Sequence, residues 1–318
     1  MAPNLVTFIG FSSCVSSLIL LIYYNPTLES TLPNWVFAWA GGVVFFYLTM
    51  DAIDGMQARK TKSSSPLGQL FDHGCDCMMT TVFGIMMTNV LGLGPVWKAV
   101  FVISLSQITF FLSQWEEKYT GVCRTSVGGL FGVTEVQLSI VIQLLACAWD
   151  PKISQTIVYE GWTLSECVFA FYLCFMGSAS LTCIAGILIK YPSAVKELVF
   201  VFSQNSVVLV WARWIGIRPN EYVLVILLLG LCNSFATVRV IISTITHMDF
   251  PKFHAIAVPF FALVPARILL GGGDWVRIAL AVYLGGALDH IIKTLIRVAE
   301  EISNYLGIYV FSITSKRD

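Results

Sequence analysis

About ten apolar stretches, each near twenty residues long, follow one another along this 318-residue chain, at 4–24, 34–55, 67–91, 96–115, 134–149, 164–189, 198–215, 222–245, 255–270 and 276–302. A hydrocarbon core about 30 Å thick takes roughly twenty helical residues to cross, and in lipid each backbone polar group must be satisfied within its own segment. The pattern therefore predicts an all-α polytopic membrane bundle of about ten transmembrane helices, forming one domain over residues 1–318. Only 12% of the residues are charged, where soluble domains carry about a quarter, and 57% are hydrophobic. Formal net charge is zero, which gives no polyelectrolyte argument for a nucleic acid partner. The start lacks a basic n-region and a small-residue cleavage site, so the first stretch is expected to be a retained helix. The weakest stretch, 198–215, is interrupted by Ser203, Gln204, Asn205 and Ser206. The last carries Asp289, His290, Lys293 and Arg297, expected either at the interface or on a face turned into the bundle.

Basic residues mark one side of the membrane. Arg59, Lys60, Lys62, Lys118, Arg124, Lys190, Lys196, Lys252, Lys316 and Arg317 fall in alternate loops, whereas the opposite loops hold only Lys98, Lys152, Arg218 and Arg277. The positive-inside rule then places both termini, and the loop 60–66, in the cytosol.

That loop joins two pairs of carboxylates inside otherwise apolar sequence. Asp51 and Asp54 are three residues apart, Asp72 and Asp76 four, so each pair shares one helix face. Intramembrane carboxylates are costly and mark function by default. On the first helix Asp51, Asp54, Gly55, Ala58 and Arg59 form a stripe, and on the second Gly68, Asp72 and Asp76 recur every four residues. Small residues beside the acids let a helix or a flat ligand approach the backbone. Four ionised aspartates carry −4 against the single charge of Arg59, and two divalent cations would balance them. Hard oxygen ligands suit Mg²⁺ or Mn²⁺, and a metal pair of this kind serves in-line displacement at phosphorus. Arg59 is placed to hold a phosphate bidentately. Cys75 and Cys77 are too few soft ligands for a structural zinc site.

The spacing D-x-x-D-G-x-x-A-R-x8-G-x-x-x-D-x-x-x-D, met by Asp51, Asp54, Gly55, Ala58, Arg59, Gly68, Asp72 and Asp76, resembles the CDP-alcohol phosphotransferase signature at every specified position. PNLVT, DAIDGMQAR, SSSPLG, LFDHGCD, TEVQ and NYLGIYVFSI resemble the eukaryotic choline/ethanolamine phosphotransferases of the Kennedy pathway, from Pro3 to about Ile313. The resemblance implies transfer of phosphoethanolamine or phosphocholine from CDP-ethanolamine or CDP-choline to the 3-hydroxyl of diacylglycerol, releasing CMP. It implies a catalytic helical hairpin over 43–90, with two Mg²⁺ or Mn²⁺ held by Asp51, Asp54, Asp72 and Asp76. Gly55, Ala58, Arg59 and Gly68 would line the CDP site, with Asn4 at its rim. A histidine matching His73 looks like the proton acceptor, oriented by a glutamate matching Glu135, for which the other reading is a helix N-terminal carboxylate next to Thr134. Asp76 is the alternative base, disfavoured because metal ligation makes a carboxylate less basic. The resemblance also suggests a homodimer among membrane lipids, in the endoplasmic reticulum or Golgi, with its active site facing the cytosol.

Two departures stand out. Gln69 occupies a position where eukaryotic members usually show Glu, and members usually have a further segment before the Pro-Asn, so the chain is expected to be trimmed or a short gene model. Tyr47, one turn before Asp51, is expected as a wall of the head-group pocket, the ordinary reading of such an aromatic being core packing or lipid contact. Trp115, Glu116, Glu117 and Tyr119 are expected as interfacial anchors, with head-group selection the less expected role. Arg239 and Asp289 are expected to line the acceptor cavity or pair with each other. Other classes remain in view: a cation-coupled transporter, for which no second copy of the acidic hairpin exists, and a catalytically dead family member.

Overall fold

The computed structural model describes residues 1–28, 30–93, 96–124, 126–127 and 131–313. Ten α-helices among them occupy the apolar stretches: α1 (Pro3–Tyr24), α2 (Asn34–Thr61), α3 (Pro66–Leu91), α4 (Val96–Thr120), α5 (Val133–Trp149), α6 (Leu164–Lys190), α7 (Val195–Val210), α8 (Tyr222–Thr246), α9 (Val258–Leu270) and α10 (Asp274–Leu306). Eight described helical segments are long and apolar enough to cross a membrane, and the segments Val133–Trp149 and Ala255–Leu270 are shorter. The protein is thus a polytopic helical membrane protein, with two small antiparallel ribbons in the described loops. Lys316 and Arg317 lie outside the described residues.

Helix α2 continues to Thr61, a turn and a half past the apolar stretch that ends at residue 55. Apolar length reports lipid thickness, not helix length. Gln57, Arg59 and Lys60 are good helix formers that water accepts, and the 28 residues span about 42 Å. The helix stops at Lys62, whose left-handed φ of 55° turns the chain. Helix α3 starts four residues later: Ser65 Oγ accepts the Gly68 N–H at 3.1 Å, and Pro66 supplies a first residue that needs no amide partner.

Helix α3 is the hub, packed against α1, α4, α5, α6, α8 and α10. Lipid is as apolar as leucine, so helices associate there through close packing of small residues and interhelical hydrogen bonds. Both are present. A Cβ on Gly84 of α3 would meet Ile103 Cγ1 of α4 at 2.6 Å, and one on Gly230 of α8 would overlap Thr81 of α3. Ser234 Oγ donates to the Cys77 carbonyl at 2.9 Å, tying α8 to α3. The polar interruption of the weakest stretch has the same explanation. Gln204 and Asn205 of α7 point inward and donate to Asn233 Oδ1 of α8 at 2.7 and 2.8 Å, and Asn233 donates back to Asn205 at 3.1 Å. Trp211–Ile215 continues α7 as a π-turn that ends at Gly216.

One expectation about charge is decided and another corrected. Asp289, His290, Lys293 and Arg297 of α10 are exposed and not turned into the bundle, and Asp289 pairs with Lys293 at 2.8 Å along the helix. Arg239 does not pair with Asp289, and its guanidinium lies over the Phe235 ring instead. The i,i+4 lysine is Asp289's nearest cation, and it wins that carboxylate locally.

The α3–α8 contact makes a prediction. Gly230→Leu should destabilise the bundle by about 1–3 kcal/mol through overpacking, read as a lower thermal midpoint in detergent. Gly286→Leu, on an exposed face of α10 where an added Cβ meets no described atom within 4 Å, should leave the midpoint near wild type.

Candidate active site

The short turn after Lys62 folds α3 back beside α2 and brings the acidic pairs together. Carboxylate oxygens of Asp51, Asp72 and Asp76 lie within 4.8 Å of one another. Asp54, next along the α2 stripe, stands outside this trio and accepts a hydrogen bond from the Thr7 hydroxyl of α1. Asp76 accepts one from the Tyr47 hydroxyl. Asp72 Oδ1 is buried with no hydrogen-bond partner among the described residues. Two oxygens sharing an octahedral cation with bonds of 2.0–2.1 Å stand about 3–4 Å apart. Three crowded carboxylates, with one buried lone pair unspent, are a donor set that fits a hard divalent cation.

The acidic residues contribute to the walls of two cavities. The first, about 830 Å³, is the more polar of the two. Asp54, Gly55, Ala58 and Arg59 line it from α2, Gly68, Gln69 and Asp72 from α3, and Asn4 and Thr7 from α1. The second, about 230 Å³, lies among α3, α4, α5 and α6 and is walled by Phe83, Met87, Phe110, Ile140, Phe175 and Met176. Asp76 contributes to the wall of this apolar cavity, and so do Glu116 and Arg124, which form an ion pair at 3.1 Å.

Most residues singled out from the sequence converge here. A Cβ on Gly55 would come within 3.3 Å of Arg59 Nη1, so the glycine leaves room for the guanidinium to lie back along α2. Gly68 faces the Asn4 side chain, and Asn4 Nδ2 donates to the Val310 carbonyl at 2.8 Å. That bond draws the segment after α10 across the polar cavity, which Ile308, Tyr309, Val310, Ser312 and Ile313 also line. His73 Nδ1 meets Gln114 Oε1 of α4 at 3.1 Å. An amide oxygen only accepts, so Nδ1 carries the proton and Nε2, 4.0 Å from Asp72 Oδ2, keeps its lone pair. Gln114 in turn donates to Cys123 Sγ at 3.4 Å. Burial first, then the charge of Glu117, pushes the Cys123 thiol up to about 12, so it stays neutral.

Two placements decide between readings and a third differs from expectation. Tyr47 is 1% exposed in the packed core, the ordinary reading of such an aromatic, and lines neither cavity among the residues described; its hydroxyl reaches Asp76, so it orients a carboxylate. Glu135 Oε2 accepts the Gly132 N–H at 2.7 Å, closing the start of α5, and Gln114 takes the place beside His73 that the resemblance gave to Glu135. A carboxylate three residues into a helix finds free amides close at hand. Trp115 and Lys118 are tied to Glu197 of α7, at 2.9 and 2.7 Å, which makes them a staple between helices. Sequence reasoning missed Thr7, Gln114 and His247, the last a wall of the polar cavity. Thr7 alone had a signal, as the last residue of PNLVT.

Comparison with known proteins agrees with this geometry. The family model for CDP-alcohol phosphatidyltransferase matches residues 1–172, more than half of the chain. An uncharacterized CDP-alcohol phosphatidyltransferase class-I family protein of Dictyostelium discoideum is 27% identical over 321 residues, covering 98% of this chain and 78% of its own length. Human ethanolaminephosphotransferase 1 is 28% identical over 338 residues, covering 98% of this chain and 84% of its own. Cholinephosphotransferase 1 of Danio rerio is 40% identical over 150 residues, or 46% of this chain and 38% of its own. The matched half contains α1 to α5, and with them the whole acidic hairpin. The chain belongs to the CDP-alcohol phosphatidyltransferase family.

Proposed function

We propose that this membrane enzyme transfers phosphoethanolamine or phosphocholine from a CDP-alcohol to the 3-hydroxyl of diacylglycerol, yielding the phospholipid and CMP. The observation that carries the reading is that the acids are divided between the walls of a polar cavity, lined by Asp54 and Asp72, and an apolar one, lined by Asp76. A nucleotide belongs in the first, with Arg59 on a phosphate and the backbone at Gly55 and Gly68 open to close approach. The glycerol end of a lipid belongs in the second, its acyl chains among Phe83, Met87, Phe110 and Ile140. Relatives named for both head groups support the substrate class.

Two divalent cations, held by Asp51, Asp54, Asp72 and Asp76, would balance the pyrophosphate charge and that of the leaving CMP. The lipid hydroxyl oxygen attacks the β-phosphorus, and the bond from that phosphorus to the bridging oxygen breaks, so CMP leaves with the bridging oxygen. His73 Nε2 takes the hydroxyl proton, in the tautomer that Gln114 holds. Tyr47 keeps one Asp76 oxygen engaged and Thr7 fixes Asp54, both without neutralising them. The alternation of basic loops supports a cytosolic site, where a water-soluble CDP-alcohol is available. An endoplasmic reticulum or Golgi membrane and a homodimer complete the reading.

Detergent-purified protein should release CMP from CDP-ethanolamine or CDP-choline only when diacylglycerol and Mg²⁺ or Mn²⁺ are both present. No CMP from either CDP-alcohol would overturn the reading. His73→Ala should lower kcat by about 10²–10⁴, and activity near wild type would remove His73 as the base. Tyr47→Phe should lower activity about tenfold and raise the Mg²⁺ concentration needed for half-maximal rate, as loss of an outer partner of a ligand does.

A further inference from the structure

One polar contact beside the site takes no part in this mechanism. Gln69 Nε2 on α3 donates to Glu117 Oε1 on α4 at 2.7 Å. Gln69 lines the polar cavity, and Glu117 is not among the described residues that do. The nearby cations are engaged elsewhere, Lys118 with Glu197 at 2.7 Å and Arg124 with Glu116 at 3.1 Å. Glu117 therefore meets the amide as an uncompensated carboxylate, which makes the bond charge-assisted.

This contact removes an ambiguity in the glutamine. A free amide can rotate by half a turn and offer either a donor or an acceptor. With the NH₂ group committed to a carboxylate, the carbonyl oxygen points to the other side of the same trigonal carbon, and no donor among the described residues meets it. Gln69 then presents its carbonyl oxygen as an open acceptor, beside the one N–H that the carboxylate leaves free. The orientation of this wall is set by a negative charge one helix further back.

We propose that Glu117 is a positioning residue, holding the Gln69 carbonyl in the polar cavity, where it accepts an N–H from the CDP-alcohol. The proposal rests on the reading of that cavity as the CDP-alcohol site. Two parts of such a substrate carry an N–H, the exocyclic amine of cytosine and the ammonium of ethanolamine, while the trimethylammonium of choline has none. The same reasoning gives the departure at Gln69 a physical sense: the carboxylate is kept, but α4 supplies it.

The test is steady-state kinetics on the full-length protein in detergent with diacylglycerol and Mg²⁺, using CDP-ethanolamine, CDP-choline and CMP as inhibitor. Glu117→Leu should raise KM about tenfold, the scale of one well-made hydrogen bond, with kcat within about twofold. The exchange Gln69→Glu with Glu117→Gln rebuilds the pair with its polarity reversed and an acceptor in the cavity, and it should return KM to within about threefold of wild type. A rise confined to CDP-ethanolamine assigns the N–H to the ammonium. An equal rise for both substrates, with weaker CMP inhibition, assigns it to cytosine. Unchanged KM for both substrates in Glu117→Leu would overturn the proposal, including where the thermal midpoint falls, since that is the mark of a mere staple between α3 and α4. A wild-type protein that releases no CMP would instead defeat the reading of the site itself.

Discussion

The mutual repulsion of Asp51, Asp72 and Asp76 is the constraint that the surrounding structure answers. Carboxylates within 4.8 Å of one another inside membrane-spanning helices oppose the fold unless something offsets their charge. The side chains that hydrogen-bond to the acidic residues are neutral: Tyr47 on Asp76 within the trio, and Thr7 on Asp54 beside it. Arg124, which shares the wall of the apolar cavity with Asp76, is engaged by Glu116. A hydroxyl fixes the direction of a carboxylate and leaves its charge intact, whereas an ammonium would cancel the charge and occupy the space. The site is thereby oriented and kept electron-rich, which is the condition for taking up divalent cations.

Holding that cluster depends on how α3 is seated. Its successive faces do different work: Asp72 and Asp76 towards α2, Gln69 and His73 towards Glu117 and Gln114 of α4, Cys77 and Thr81 towards α8. Rotating the helix by one residue would move all three sets together, by about 100°. The close approaches at Gly84 and Gly230 resist such rotation, because ridges packed against absent side chains have one register. The apolar packing and the chemistry are therefore one problem, and the small residues of the bundle are as much part of the site as the acids.

The helices were legible because lipid imposes a length and a composition on each, and the acidic stripes because helical spacing puts them on shared faces. The ends of α2 and α3 were partly legible: Ser65-Pro66 reads as a start, while the extra turn and a half of α2 runs in water, where hydropathy gives no signal. Pairings between helices were not legible. Gln114, and not Glu135, stands beside His73 because of how α4 is rotated and staggered against α3, and one sequence records neither quantity. For Tyr47 the spacing left a cavity wall and core packing both open, and the 1%-exposed side chain proves to be packed in the core with its hydroxyl on Asp76 across the interface. The closure of the polar cavity by Val310 lies still further from view, since Asn4 and Val310 are 306 residues apart.

The division between the two cavities bears on which group takes the proton. Asp76 is the one member of the acidic trio that lines the apolar cavity, where the proposed lipid acceptor would lie. One of its oxygens already accepts from Tyr47, and it belongs to the trio suited to a cation, so its lone pairs are spoken for before a substrate proton arrives. His73 is arranged the opposite way. Its protonated nitrogen is held by a neutral amide oxygen, and its free nitrogen lies 4.0 Å from Asp72 Oδ2. The acids' oxygens meet hydroxyls or crowd where a cation fits, while the histidine keeps one lone pair open, and the proposed assignment of the proton to His73 and of orientation to the aspartates rests on that contrast.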